Sequence, residues 1–220
     1  MLTRDLISQT IPTLHLHDKI FNALQLMNDA HVAHLAIAED DKYVGIVSEE
    51  DLLQAPDDTL EIREMRETFP AISVNENDHF LKALQTTAEF RISVVPVLGE
   101  NNELIGVASY RELLKQASEF MNVKEPGGLI VLEMESSNYS FSELSRLVET
   151  NDAQITQLNT YTDPQTGLMQ VTIKLSKAEV SDIVATFQRY EYNVKYYFGE
   201  ELYENELRSN YDNLMNYLKF

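Results

Sequence analysis

Gly45-Ile46-Val47-Ser48-Glu49-Glu50-Asp51-Leu52-Leu53 returns 61 residues later as Gly106-Val107-Ala108-Ser109-Tyr110-Arg111-Glu112-Leu113-Leu114. Upstream, Ala23-Leu24-Gln25 returns after 60 residues as Ala83-Leu84-Gln85, and one residue added in the acidic loop around Gly99 accounts for the difference. A unit recurring at such a period cannot bury its apolar side alone, so the two copies are expected to pack face to face. Clefts between copies are natural ligand sites. The front half therefore points to binding rather than catalysis.

Each copy reads as strand, helix, strand, strand, helix. Ile20, Ala23, Leu24 and Met27 fall on one helical face, as do Phe80, Ala83, Leu84 and Thr87. A short apolar strand follows, His34 to Ile37 or Val94 to Val97, then a polar turn and a second strand, Tyr43 to Val47 or Leu104 to Ala108. The last helix opens on Ser48 or Ser109, with Asp51 or Glu112 three residues on, the spacing of a capping box.

An apolar pair, Gly, two small apolar residues, Ser, two variable residues and an acid, preceded by a strand carrying Pro96-Val97 in copy two, resembles the cystathionine-β-synthase (CBS) domain. The resemblance covers residues 1–124 as a tandem pair, or Bateman module, with repeat one at about 1–60 and repeat two at about 61–124. It implies an adenosyl ligand: the acid takes the ribose hydroxyls, the serine contacts phosphate, and the helix N-terminus adds backbone donors. Carried over, copy one offers Gly45, Ser48 and Asp51, with Thr13 and Leu35 lining the adenine slot and Ala36 where the family has proline. Copy two offers Ser73, Val95, Ser109, Arg111 and Glu112, the glutamate replacing the ribose-binding aspartate. Glu49 and Glu50 flank the copy-one phosphate position, which favours AMP or adenosine over ATP by simple repulsion.

The chain has 220 residues and a formal charge of -19, from 17 basic and 36 acidic side chains. Up to Lys124 there are 10 basic and 21 acidic residues and beyond it 7 and 15, so neither half offers the cations that nucleic acid or anionic membrane requires. With no cysteine, disulfides, thiolate metal sites and cysteine nucleophiles are excluded. His15 and His17 at strand spacing, and His31 with His34, are the only histidine pairs, and no metal site is expected from them. Seven glycines form no phosphate-cradling loop. No apolar run reads as a leader or a membrane span, so a cytoplasmic protein is expected.

Pro126-Gly127-Gly128 breaks the pattern. Beyond it Ile130, Leu132 and Met134 alternate as a strand, and Ser140 with Glu143 caps a helix whose inner face is Phe141, Leu144, Leu147 and Val148. A strand from Ile155 to Tyr161 turns through Asp163-Pro164-Gln165-Thr166-Gly167 into Met169, Val171, Ile173 and Leu175. Ser176 and Glu179 then cap a helix bearing Val180, Ile183, Val184 and Phe187, and Tyr192 to Phe198 closes the set. The order β-α-β-β-α-β is a ferredoxin-like split unit. Behind a CBS pair, residues 129–199 resemble an ACT domain, as in bacterial CBS–ACT proteins of the acetoin-utilisation type. Amino-acid-binding ACT domains carry a glycine after their first strand, and Ser136-Ser137-Asn138-Tyr139 has none, so assembly is the expected role. Residues 200–220 carry Leu207, Tyr211, Leu214 and Leu218 as one helical stripe.

The expected fold is thus α+β, a CBS pair followed by a ferredoxin-like domain. The expected function is non-enzymatic: a homodimeric regulator sensing AMP, ADP, ATP or a similar nucleotide, with no required cofactor and an unspecified protein target. The alternative is a structural or scaffold protein whose ligand-free CBS pair serves protein–protein interaction.

Overall fold

The computed structural model describes residues 1–199, apart from the side chains of 66–68, so the expected tail helix lies outside the described residues. The chain divides into two compact units, Met1–Ala117 and the part from Ser118 on. The first opens with a 3-10 turn, Thr3–Leu6, and runs through α1 (Ile20–Ala30), β1 (His34–Glu39), β2 (Lys42–Ser48) and the short α2 (Glu49–Leu53). A second 3-10 segment, Ile62–Thr68, leads into β3 (Val74–Asn75), α3 (Phe80–Phe90), β4 (Val94–Leu98), β5 (Leu104–Ser109) and α4 (Tyr110–Phe120).

The repeat extends to the backbone. Helices α1 and α3 both end on a left-handed residue, His31 and Arg91, each at φ 53. Ile20, Ala23 and Met27 are buried along α1, and Phe80, Ala83 and Thr86 along α3, with Leu24 and Leu84 half-buried beside them. Strands β1 and β2 pair antiparallel, as do β4 and β5, and both pairs slip register at the equivalent place, Ile37/Ala38 and Val97/Leu98. Copy two adds β3 in parallel, Val74 opposite Val97. In copy one the expected first strand shrinks to a single bridge, Leu14 to Ile37, and His15 and His17 lie on the following turn rather than on a strand.

The two copies also exchange their leading segments. The N-terminal turn docks on copy two, with the Thr3 amide donating to the Asp78 carbonyl at 2.8 Å and the Ser8 amide to the Val107 carbonyl at 2.8 Å. The second 3-10 segment docks on copy one: the Arg63 amide reaches the Leu16 carbonyl at 2.8 Å and the Ile46 amide the Pro70 carbonyl at 3.1 Å. Half-buried Tyr43 donates its hydroxyl to the Ile72 carbonyl at 2.5 Å, and partial desolvation pushes that phenol's pKa up. Glycine at 45 and 106 makes the exchange fit. A Cβ on Gly45 would stand 2.8 Å from the Phe69 Cβ, and one on Gly106 2.4 Å from the Ile7 Cγ2. One apolar core, including Leu35, Ile37, Val95 and Val97, runs through both copies.

The second unit contains β6 (Leu129–Met134), α5 (Phe141–Glu149), β7 (Ile155–Thr162), β8 (Met169–Leu175), α6 (Ser181–Arg189) and β9 (Asn193–Phe198). Its sheet order is β7-β8-β6-β9 with every pairing antiparallel, the ferredoxin-like arrangement. Ile130, Leu132, Val171, Ile173 and Leu175 face Leu144, Leu147, Ile183 and Phe187 in its core. Two local expectations fail. Phe141, at the first turn of α5, is 53% exposed. The last helix starts at Ser181, because Ser176 Oγ accepts from the Gln154 amide and Glu179 caps by accepting from the Ser181 amide at 2.8 Å. Among the described residues no helix is long and apolar enough to cross a membrane.

Candidate ligand site

Within each copy the serine and the acid stand where the second strand runs into its helix, while Gly45 sits mid-strand against Phe69. In copy one, His34 pairs with Ser48 across β1 and β2, while buried Leu35 pairs with Val47 and buried Gly45 with Ile37. Thr13, half-buried, precedes Leu14, whose amide donates to the Ala36 carbonyl at 2.9 Å. Thr13 therefore flanks β1 on the edge opposite β2, which carries Ser48. In copy two, Ser109 pairs with Val94, Val95 with Ala108, and Ser73 precedes β3 as Thr13 precedes Leu14.

The two copies differ in how their acids are used. Asp51 closes a full capping box: its amide donates to Ser48 Oγ at 3.0 Å, and its Oδ2 accepts from the Ser48 amide at 3.3 Å and the Ser48 hydroxyl at 2.6 Å. The carboxylate is thereby engaged inside the protein. Helix α2 behind it is only 5 residues long, so it has little dipole to offer a phosphate, and Glu49 and Glu50 are exposed in its first turn. In copy two the Glu112 amide reaches Ser109 Oγ at 3.4 Å, but the carboxylate does not return, and its Oε2 is buried with no hydrogen-bond partner among the described residues. The expected box at Ser109 is half made. Helix α4 runs for 11 residues, and exposed Arg111 lies 5.9 Å from the centre of the Tyr110 ring.

His34, beside Asp51, was absent from the residues the motif suggests. Its Nδ1 accepts from the Ser93 amide at 3.2 Å and lies 3.2 Å from Ser93 Oγ, which accepts from the Ala33 amide at 3.0 Å. This small network joins copy one to copy two. Burial holds the imidazole's pKa below its ordinary value, opposed by the charge of Asp51. Sequence offers no signal for it, because the partners stand 59 residues apart. Of the other histidines, His17 lies 3.1 Å from Glu61 at the surface. No cluster of three His, Asp or Glu that could hold a metal occurs among the described residues.

The CBS domain family model matches this chain twice, at residues 3–58 and 61–119. Among curated proteins, the inosine-5'-monophosphate dehydrogenase of Methanocaldococcus jannaschii is 20% identical over 146 residues, 66% of this chain and 29% of that enzyme. The same enzyme of Korarchaeum cryptofilum is 22% identical over 152 residues, 69% of this chain and 32% of that one. The match thus spans under a third of the length of these relatives. A solved CBS domain pair/ACT domain protein from Thermotoga maritima superposes with a TM-score of 0.50 at 22% identity, covering 55% of this chain and 99% of that one. That likeness concerns the fold.

Proposed function

The chain belongs to the CBS domain family, and from that premise we propose that it is a non-enzymatic regulator whose paired repeats take up an adenosyl ligand such as AMP, ADP or ATP. The observation that carries this reading is the unpartnered Oε2 of Glu112 at the head of α4. A buried carboxylate oxygen without a donor is costly, and a ribose hydroxyl supplies a donor at that position. Ser109 and Arg111 stand beside it for phosphate, and Ser73 and Val95 lie along the strands for the base. Copy two is thus the better-furnished site, although its acid departs from the family pattern. Copy one, with Thr13, Leu35, Gly45, Ser48 and Asp51, is the weaker one, because ligand must displace Asp51 from Ser48.

In this reading residues 1–124 sense. Residues 129–199 form an ACT-like unit that assembles two chains. The ferredoxin-like strand order supports the ACT likeness. Ligand acts by favouring one arrangement of the two copies over another, and the response is limited by its differential affinity for them. Thermal melting with AMP, ADP, ATP and S-adenosylmethionine tests the proposal, since a ligand that binds only the folded chain raises the melting point. Glu112→Gln should weaken the ligand about ten- to a hundredfold, as loss of a charged acceptor does, and Asp51→Ala much less. No shift with any nucleotide refutes the sensor.

A second reading is favoured by the surface. Phe21 and Leu81, 47% and 44% exposed, occupy equivalent places on α1 and α3, and Leu53 and Leu114 equivalent places on α2 and α4. A ligand-free scaffold that docks another protein on these helices would present such residues.

A further inference from the structure

We infer that the face of the second unit's sheet opposite α5 and α6 holds a binding site for a small monocarboxylate with an aliphatic tail, anchored by Lys174. Among the described residues Lys174 is the one buried ionisable side chain, 9% exposed. Its ammonium donates to the Asn122 carbonyl. No carboxylate of the described residues pairs with it, although the protein carries 36 of them. A buried cation left with one neutral acceptor is expensive, and the natural remedy is a counter-ion.

The surroundings are shaped to admit one. Lys174 lies in a cross-strand row between Leu129 and Gln157, and Thr172 with Asn159 forms part of the next row on the same face. A register shift between Ile155 and Gln157 brings Gln157 opposite Lys174; re-aiming a side chain in this way is a common use of bulges near binding sites. The segment ahead of β6 supplies the other wall with Met121, and a cleft of about 340 Å³ remains between wall and sheet. That volume is at the small end for ligand sites. Gly127 allows the wall to approach, since a Cβ there would stand 2.0 Å from the Leu175 carbonyl oxygen.

The chemistry of the lining selects the ligand. One cation, two amides and a hydroxyl suit a single carboxylate, and the apolar remainder suits a short hydrocarbon tail. Glu125 at the exposed rim repels a second negative charge, which disfavours dicarboxylates and phosphates.

The test uses the full chain and three probes: hexanoate, the neutral hexan-1-ol and the dianion succinate. Backbone NMR signals of Gln157, Asn159 and Thr172 should move saturably with millimolar hexanoate, stay still with hexanol, and respond about tenfold more weakly to succinate. Lys174→Met should abolish the hexanoate response, and Asn159→Ala should weaken it if the lysine variant fails to fold. Still signals with hexanoate, or equal responses to hexanoate and hexanol, overturn the site. So does a hexanoate response unchanged in folded Lys174→Met. Nucleotide binding at the paired repeats is independent of either result.

Discussion

At the scale of single residues, His34 ties stability to pH. Its neutral ring accepts the Ser93 amide through Nδ1, and protonation removes that acceptor. Burial holds its folded pKa below the ordinary 6.5, so between those two values the unfolded chain binds more protons than the folded one. Stability therefore falls as pH drops through 6.5, and the loss levels off only below the folded pKa. Thermal melting from neutral to about pH 5 should show this decline, and His34→Gln should flatten it; an unchanged slope in the variant means other groups govern the profile. Ser48→Ala should cost about 1 kcal/mol by urea denaturation, the usual worth of an N-cap. The serine and acid were legible in the sequence as a motif. Which of its two uses prevails was not, because a capping box and a ribose acceptor call for the same residue types at the same spacing. Only geometry separates Asp51, turned back on Ser48, from Glu112, left with a bare oxygen.

At the scale of elements, the periods of 3.6 and 2 located most helices and strands, since each rests on neighbours in sequence. Ile20, Ala23 and Met27 could be read as an inner face before any partner was known. The exchange of leading segments could not, because nothing local states whether Ile7 packs on its own copy or the next. The misplaced start of α6 has a related cause: Ser176 and Glu179 satisfy a capping pattern that a loop fulfils equally well by bonding to Gln154 and Ser181. The exchange itself is testable at the two glycines. Gly45→Ala meets the Phe69 Cβ and the Pro70 carbonyl, neither of which can move without shifting backbone, so a loss of about 1–3 kcal/mol is expected in urea. Gly106→Ala meets Ile7 and, at φ 152, adds backbone strain. Ile7→Ala should recover part of the Gly106→Ala loss in a double-mutant cycle and none of the Gly45→Ala loss. Recovery in neither case would mean that the N-terminal segment does not seat on copy two.

At the scale of the whole molecule, charge and edges oppose each other. Each chain carries -19, so two chains repel before any surface meets. Yet β9, at the edge of the described sheet, leaves Tyr196 45% and Phe198 62% exposed, their rings 5.7 Å apart on one face. An open edge bearing aromatic side chains is a template for pairing with another strand. Light scattering of the full chain should accordingly give a dimer that tightens as salt rises from about 10 mM to 150 mM, because the Debye length shrinks from about 30 to 8 Å while apolar burial is unaffected. Phe198→Lys should dissociate it, and Phe21→Glu on α1 should not. The reverse pattern would move assembly to the exposed helices of the paired repeats. The salt response would persist, since repulsion between two such acidic chains does not depend on which face they share.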